Sequence, residues 1–201
     1  MQDTSLYRLP TVIGIYSPRQ QSGKSTVAAY LRARIAATLG VTLETIKIAD
    51  PIKQPLYDLG LTEAHVEGHL KDVPCAELDG RTPREEMIRL ARTGAETWGA
   101  DWLARNAERR IRKALDEGKT IIVDDIRRPS EYDLIRAFAG NEVWRLYRPR
   151  EGEAITADAT NYEGLLEDHV FDLRLENTGT LAFLYDQLER HLRAPLADMT
   201  C

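Results

Sequence analysis

Two patterns of apolar and polar positions alternate along this chain. Short unbroken apolar runs are followed by longer stretches with one apolar position in every three or four. Val12-Ile13-Gly14-Ile15-Tyr16 is the first run and reads as a buried strand. After a polar, turn-like stretch a helix opens near Gly23. Val27, Leu31, Ile35 and Leu39 recur there every four residues as one apolar stripe, and Gly40 stands where a C-terminal cap would stop it. A second strand is expected from about Thr45 to Ala49. Asp50 and Pro51 have the character of an N-cap and first helical residue, and Pro55 should kink or end that helix early. Residues 68–81 are polar and are expected to form an irregular, mobile excursion. Thr82-Pro83-Arg84-Glu85 is a capping box with proline at the first helical position. Leu103, Ala107, Ile111 and Leu115 mark a further helix, closed by Gly118.

Thr120-Ile121-Ile122-Val123-Asp124 is a dense β-branched run of the kind found in the centre of a parallel sheet. Ser130 with Asp133 suggests another helix start. Val143 to Tyr147 and Phe171 to Leu175 supply two more strands, and Leu181, Leu184, Leu188 and Leu192 line a closing helix. This regular alternation calls for an α/β fold, a doubly wound, mostly parallel five-stranded sheet with helices on both faces. No linker divides it, so residues 1–201 read as a single domain.

Composition changes this picture little. With 43% hydrophobic and 29% charged residues the chain has the make-up of a soluble globular domain, and its net charge of −5 offers no general attraction to nucleic acid or anionic lipid. The N-terminal MQDTSLYRLP has no apolar run of signal-peptide length, and no later segment approaches the ~18 apolar residues of a membrane span. Two cysteines, Cys75 and Cys201, are too few and too far apart for a disulfide framework or a zinc site, which fits a cytoplasmic protein. His65 and His69 would share one helix face but have no clear third ligand, and His169 and His191 read as structural.

The chemistry concentrates at Ser22-Gly23-Lys24-Ser25-Thr26, directly after an apolar strand and at the start of an amphipathic helix. Phosphate groups need donors aimed inward without side chains in the way, which glycine and backbone N–H groups provide, and a helix N-terminus adds positive potential. In that setting Lys24 would bridge the transferring phosphoryl group and the Ser25 hydroxyl would ligate Mg²⁺. Pro18 stands where the consensus of such loops has a first glycine. Asp124 and Asp125 end the third strand, where a carboxylate can hold a magnesium-bound water or simply cap the turn. Arg127 and Arg128 follow at once, and Arg148 and Arg150 follow the fourth strand. Either pair can clamp a phosphate through bidentate guanidinium contacts, or be surface charge. The polar segment Glu151 to Tyr162 has the composition of a lid. Asp50 ends the second strand at the sheet edge where open α/β sheets bind ligands, so it can orient an acceptor as well as cap its helix. The basic run Arg105, Arg109, Arg110, Arg112 and Lys113 is diluted by Glu108, Asp116 and Glu117 and reads as a solvated helix face.

Taken together, several blocks resemble the bacteriophage deoxynucleoside monophosphate kinases, a P-loop kinase family. They are Ser22-Gly23-Lys24 through Ala28, Ala49-Asp50-Pro51-Ile52-Lys53, Thr93-Gly94-Ala95-Glu96 with Trp102 downstream, Val123-Asp124-Asp125-Ile126-Arg127 with Glu131, Arg148-Pro149, Glu163, and Phe171-Asp172 with Glu176-Asn177-Thr178-Gly179-Thr180-Leu181. Their order covers nearly the whole chain. The resemblance implies a sheet of the P-loop kinase type and ATP- and Mg²⁺-dependent phosphorylation of a deoxynucleoside monophosphate to the diphosphate. By it, Ser22 to Thr26 serve the donor, with Ser25, Asp124 and Asp125 at the metal. Arginines 127, 128, 148 and 150 serve the transferring phosphates, and Asp50, Lys53, Thr93, Gly94, Glu96, Trp102 and Glu131 lie on the acceptor side. A helical insertion over about 50–117 and a lid over about 149–163 go with it. Ser25-Thr26 departs from the Asp-Thr that often follows the lysine in that family.

The implied partner is a small-molecule nucleoside monophosphate, with no membrane and no nucleic acid; a homodimer is compatible with the sequence. Two other readings stay open: a P-loop kinase acting on a modified base in DNA, and a P-loop ATPase that transfers nothing.

Overall fold

The computed structural model describes residues 7–19, 21–149 and 164–193. The expected lid segment, with Arg150 and Glu163, lies outside them. The chain divides into two compact units, residues 1–46 with 110–201, and residues 47–109.

The first unit holds one five-stranded sheet of β1 (Val12–Tyr16), β2 (Leu43–Thr45), β3 (Thr120–Ile126), β4 (Asn141–Tyr147) and β5 (Leu173–Glu176). All neighbours run parallel, in the order β2-β3-β1-β4-β5. The middle position therefore belongs to β1, not to β3 as its β-branched run suggested. All five β1 residues are buried, as a strand covered on both faces must be.

Ile13 and Ile15 point to one face, where they pack with Ile122, Trp144, Leu146 and Leu175 of the neighbouring strands. Val27, Leu31 and Ile35 cover this face from the helix after β1, and Leu184, Leu188 and Leu192 from α8 (Leu181–Leu192). Each such fully buried aliphatic side chain contributes roughly 1.5–3 kcal/mol. On the other face, a side chain at Gly14 would run into Ile126 and Ile135, the latter from α7 (Pro129–Arg136). Tyr16 stacks on Phe171, and Tyr132 meets both Phe171 and His169 edge-on.

The helix after β1 begins as α1 (Lys24–Tyr30), passes through a π-helical stretch (Leu31–Ala36) and ends as α2 (Ala37–Leu39). Its four-residue apolar repeat gives the reason. On an α-helix such a stripe drifts by about 40° per step. The underwound π stretch turns Leu31 and Ile35 back onto the sheet.

Several boundaries differ from those the sequence suggested. Strand β2 spans Leu43–Thr45 rather than Thr45 to Ala49: Ile46 N–H still reaches the Ile122 carbonyl at 2.9 Å, and the chain then turns away. The strand placed at Phe171 to Leu175 is Leu173–Glu176. α7 starts at Pro129, ahead of Ser130, because Glu131 rather than Asp133 supplies the side chain at its third position. At the far end of β4, Glu142 accepts from Trp144 Nε1 at 2.7 Å and pairs with His191 Nε2 at 2.6 Å, which gives His191 a structural role.

The second unit is helical: α3 (Asp50–Asp58), α4 (Glu63–Val66), α5 (Pro83–Trp98) and the first part of α6 (Trp102–Asp116). Leu56, Leu61, Val66, Leu78 and Met87 form its core. Asp50 is the first residue of α3 and not its cap; its Oδ2 accepts from the Lys47 N–H at 3.2 Å. Pro55 sits inside α3 without ending it. The Thr82 capping box forms as expected, with both bonds to Glu85 made. Residues 68–81 hold neither α-helix nor strand, as expected of an irregular stretch. They are nonetheless a hydrogen-bonded loop with a short 3₁₀ turn (Ala76–Leu78), and Leu78 is drawn into the core. His65 and His69 do not share a helix face, since α4 ends at Val66, and His65 Nδ1 serves Thr62 at the helix start. No helix among the described residues is long and apolar enough to cross a membrane.

Gly94 packs in this unit against the indole of Trp102, and an added Cβ would stand 2.3 Å from Cε2. Replacing Gly94 by alanine gains about 1 kcal/mol of helix propensity but forces a rigid ring aside, which costs about 1–3 kcal/mol. Gly94→Ala is therefore expected to destabilise residues 47–109 on balance. Chemical denaturation followed by tryptophan fluorescence checks this; a variant more stable than the parent would show that the ring yields freely.

Candidate active site

Strand β1 delivers the chain to a tight loop at its C-terminal end, the end where open parallel sheets bind ligands. Ser17 is buried, and its Oγ accepts from the Arg19 N–H at 3.3 Å. Among the described residues of the loop, Gln21 at φ 56° and Gly23 at φ 104° take left-handed backbone angles. Pro18 does not, and its ring could not. Position 18 therefore makes no use of the backbone freedom a glycine would bring.

Gly23 is the N-cap of α1, and its carbonyl accepts the Val27 N–H at 3.0 Å, so Lys24, Ser25 and Thr26 form the first turn. Helical conformation continues without a break to Leu39, which aligns the peptide dipoles behind this turn. Ser25 is exposed and Lys24 half-buried. Ser22 is 2% exposed, and among the described residues no protein group takes up its Oγ. A buried hydroxyl of this kind, beside a glycine that adds no bulk, suits the oxygens of a phosphate chain.

Strand β3 lies directly beside β1 and is irregular where its acidic pair falls. Gly14 is opposite Val123 but Tyr16 is opposite Ile126, so Asp124 and Asp125 together face the single residue Ile15. Such a bulge breaks the strict alternation of side chains and re-aims them. The pair therefore lies just inside the end of β3, with Asp124 buried and Asp125 half-buried. These are hard oxygen donors, as is Ser25, and they fit Mg²⁺. No group of three or more His, Cys, Asp or Glu that could hold a metal by itself occurs among the described residues.

Arg127 and Arg128 follow in the elbow between β3 and α7. Glu131 Oε2 accepts the N–H of Arg127 at 2.7 Å and that of Arg128 at 3.1 Å. Burial pushes the Glu131 carboxyl above the usual carboxylate range, the Arg127 N–H pulls it back, and the Asp125 charge adds to the rise. Glu131, expected on the acceptor side, is turned inward, where it holds the arginine-bearing backbone. Arg148 is exposed at the end of β4, and its Nη1 is 3.5 Å from the Gln21 carbonyl.

Sequence reasoning assigned no site role to Asn177, yet it touches the loop. Its Nδ2 donates to the Ser22 carbonyl at 2.8 Å, and its own N–H donates to the Tyr147 carbonyl at 2.8 Å. The isolated asparagine before Thr178-Gly179 was the available signal. Tyr16 adjoins the loop as well; burial first, and then the Glu167 charge, raises its hydroxyl, which stays protonated. Glu167 itself accepts two bonds from Arg145, at 3.1 and 2.6 Å.

In the second unit, Lys53 is buried and Asp50 half-buried. Glu67 Oε1 accepts from both Lys53 Nζ and Lys47 Nζ at 2.7 Å. Thr93 and Glu96 are exposed on α5, while Gly94 and Trp102 pack on each other.

The fold is α/β, with an all-parallel five-stranded sheet and a glycine-lysine-serine loop directly after its central strand. No family model matches the chain, and no curated protein matches it significantly. Among solved structures it is similar to a sugar kinase from a Janibacter species, with 18% identity over 89% of this chain and 90% of that one, TM-score 0.41. It is similar to shikimate kinase from Acinetobacter baumannii, with 15% identity over 92% and 90%, TM-score 0.39. A third is cobyrinic acid a,c-diamide synthase from Mycobacterium smegmatis with a bound ATP analogue and magnesium, with 14% identity over 96% and 83%, TM-score 0.41. At such values the likeness carries no argument about activity.

Burial pushes the Glu67 carboxyl up, but Lys53 and Lys47 outweigh it and hold the group down at about 2, against an ordinary value of 4.5. A carboxylate with a lowered folded pKa stabilises the protein above its unfolded value and loses that contribution as pH falls toward the folded one. Glu67→Gln is expected to lower stability at neutral pH by about 1–3 kcal/mol. The gap to the parent should shrink between pH 4.5 and 2. Urea denaturation at several pH values reads this, and a gap that does not change with pH would remove the ion pairs as its cause.

Proposed function

We propose that this chain is a P-loop phosphotransferase that phosphorylates a nucleoside or deoxynucleoside 5′-monophosphate with ATP and Mg²⁺. The observation that carries the reading is the loop after β1. A left-handed Gly23, a buried Ser22 hydroxyl and the Lys24-Ser25 pair stand together at the C-terminal end of the central strand. The adjacent strand brings two aspartates to the same end of the sheet.

ATP with its magnesium ion supplies an activated terminal phosphoryl group and a Lewis acid for the charge that develops during in-line transfer. The protein's own share is binding, charge and position. The backbone N–H groups at the start of α1 and the Ser22 hydroxyl hold phosphate oxygens. Lys24 offsets negative charge on the group in transfer. Ser25, Asp124 and Asp125 are the oxygen donors for the metal, directly or through water. Arg127, Arg128, Arg148 and Arg150 are suited to a dianionic acceptor phosphate, because guanidinium meets it bidentately. That oxygen is already largely ionised near neutral pH, so no general base and no covalent enzyme intermediate are required. On the acceptor side, Asp50, Lys53, Thr93, Gly94, Glu96 and Trp102 are assigned by resemblance.

Lys24→Ala is expected to lower turnover by roughly 10²–10³-fold with the fold intact, because a preorganised charge in such a site is worth that much. Steady-state kinetics with circular dichroism on both proteins measures it, and activity within tenfold of the parent removes Lys24 from this role. The acceptor is tested with labelled ATP and a panel of free ribo- and deoxynucleoside monophosphates, beside DNA carrying hydroxymethylated bases. A free diphosphate product is expected. Label in DNA alone favours the kinase acting on DNA, and phosphate release alone favours an ATPase.

A further inference from the structure

The phosphate loop does not hold its shape through its own residues alone. The Ser22 carbonyl accepts the side-chain amide of Asn177, 155 residues further along the chain, at 2.8 Å. A carbonyl can only accept, so the atom facing it must be the amide nitrogen. Asn177 is anchored in turn, because its backbone N–H donates to the Tyr147 carbonyl at the end of β4. One peptide further on, the Gly23 carbonyl is committed to the first helical bond with Val27. Gly23 is itself in contact with Asn177: a Cβ there would meet Nδ2 at 2.7 Å, on a backbone already at φ 104°.

In a planar trans peptide, C=O and N–H point in opposite directions. A bond that draws the Ser22 carbonyl toward Asn177 therefore turns the Gly23 N–H away from Asn177. We propose that Asn177 is a positioning residue for the phosphate loop, which sets the Ser22–Gly23 peptide so that the Gly23 N–H faces the bound phosphate chain. This rests on the phosphate-binding reading of the loop given above. The role follows from the place of Asn177 in the fold. It follows β5, beside the end of β4, and so ties the loop after β1 to the sheet rather than to a neighbouring turn. Free rotation of this peptide would let its carbonyl present negative charge to the phosphates. The Asn177 amide removes that alternative.

The test uses the whole chain with Asn177→Asp, which keeps the shape but places an acceptor against the Ser22 carbonyl, and Asn177→Ala, which only deletes the donor. Binding of Mg·ATP and of magnesium tripolyphosphate is measured by calorimetry, and the Gly23 amide is followed by ¹⁵N–¹H NMR with each ligand. In the parent, both ligands are expected to bind and to move the Gly23 amide. In Asn177→Asp, affinity for both should fall by about tenfold or more, as loss of a hydrogen bond with added repulsion predicts, and the Gly23 shift should be reduced. Asn177→Ala should show a smaller loss of the same kind, and it decides the matter if the aspartate variant does not fold. If ATP binding falls while tripolyphosphate binding is unchanged, Asn177 touches the nucleoside and the proposal is overturned. Variants that bind both ligands like the parent, with the same Gly23 shift, also overturn it and leave the phosphate-binding reading standing. A parent that binds neither ligand overturns that reading, and this proposal with it.

Discussion

Strand β1 is buried along its whole length, so its backbone donors and acceptors have to be met by β3 on one side and β4 on the other. Both of its faces are apolar, and Gly14 is required because Ile126 and Ile135 occupy the space a side chain would need. Polar chemistry has no place along such a strand and can begin only where it stops. The parallel arrangement then brings the ends of β3, β4 and β5 to the same edge of the sheet. The loop over Ser22 to Thr26, the aspartate pair, the arginine elbow and Asn177 all stand at that edge for this one reason.

At the edge, geometry is set by polar side chains that themselves need not meet a ligand. The bulge in β3 puts two aspartates opposite one residue of β1 and so brings both to the strand end. Glu131, buried and turned back on its own elbow, satisfies two backbone donors and holds the segment that carries Arg127 and Arg128. Asn177 does the same for the Ser22 carbonyl. Each of these anchors is a carboxyl or amide group set against main chain, an arrangement that restrains a loop, because a buried main-chain group left unmet is costly. Residues 47–109 have their own anchor, Glu67 between Lys47 and Lys53, with the hydrogen-bonded loop over Leu78 closing their small core.

Much of this was legible in the sequence. Apolar runs and four-residue stripes announced the strands and helices in the right order, and the α/β class with a five-stranded parallel sheet followed. The strand–loop–helix setting of Gly23, Lys24 and Ser25 was visible because the three are adjacent and an apolar run and an apolar stripe flank them. The Thr82 capping box was visible for the same reason: all of its partners lie within one turn. Edges were less clear. β2 ends at Thr45 although Ile46, Ile48 and Ala49 remain apolar, because after the Ile46 bond the chain turns away from β3, which itself runs on to Ile126.

Local sequence thus determined which segments are helix or strand and where the glycine-lysine-serine loop sits between them, since those depend on side-chain spacing and on bonds within a few residues. Only the tertiary structure decided that β1 is central, that Pro18 needs no glycine's freedom, and that the helix after the loop underwinds to keep its stripe on the sheet. It also decided that Glu131 faces inward and that Asn177 braces a loop far away in the chain. These are questions of which side chain meets which backbone group across a packed edge. Such meetings are fixed by the order and register of strands, and no pattern within one segment encodes them.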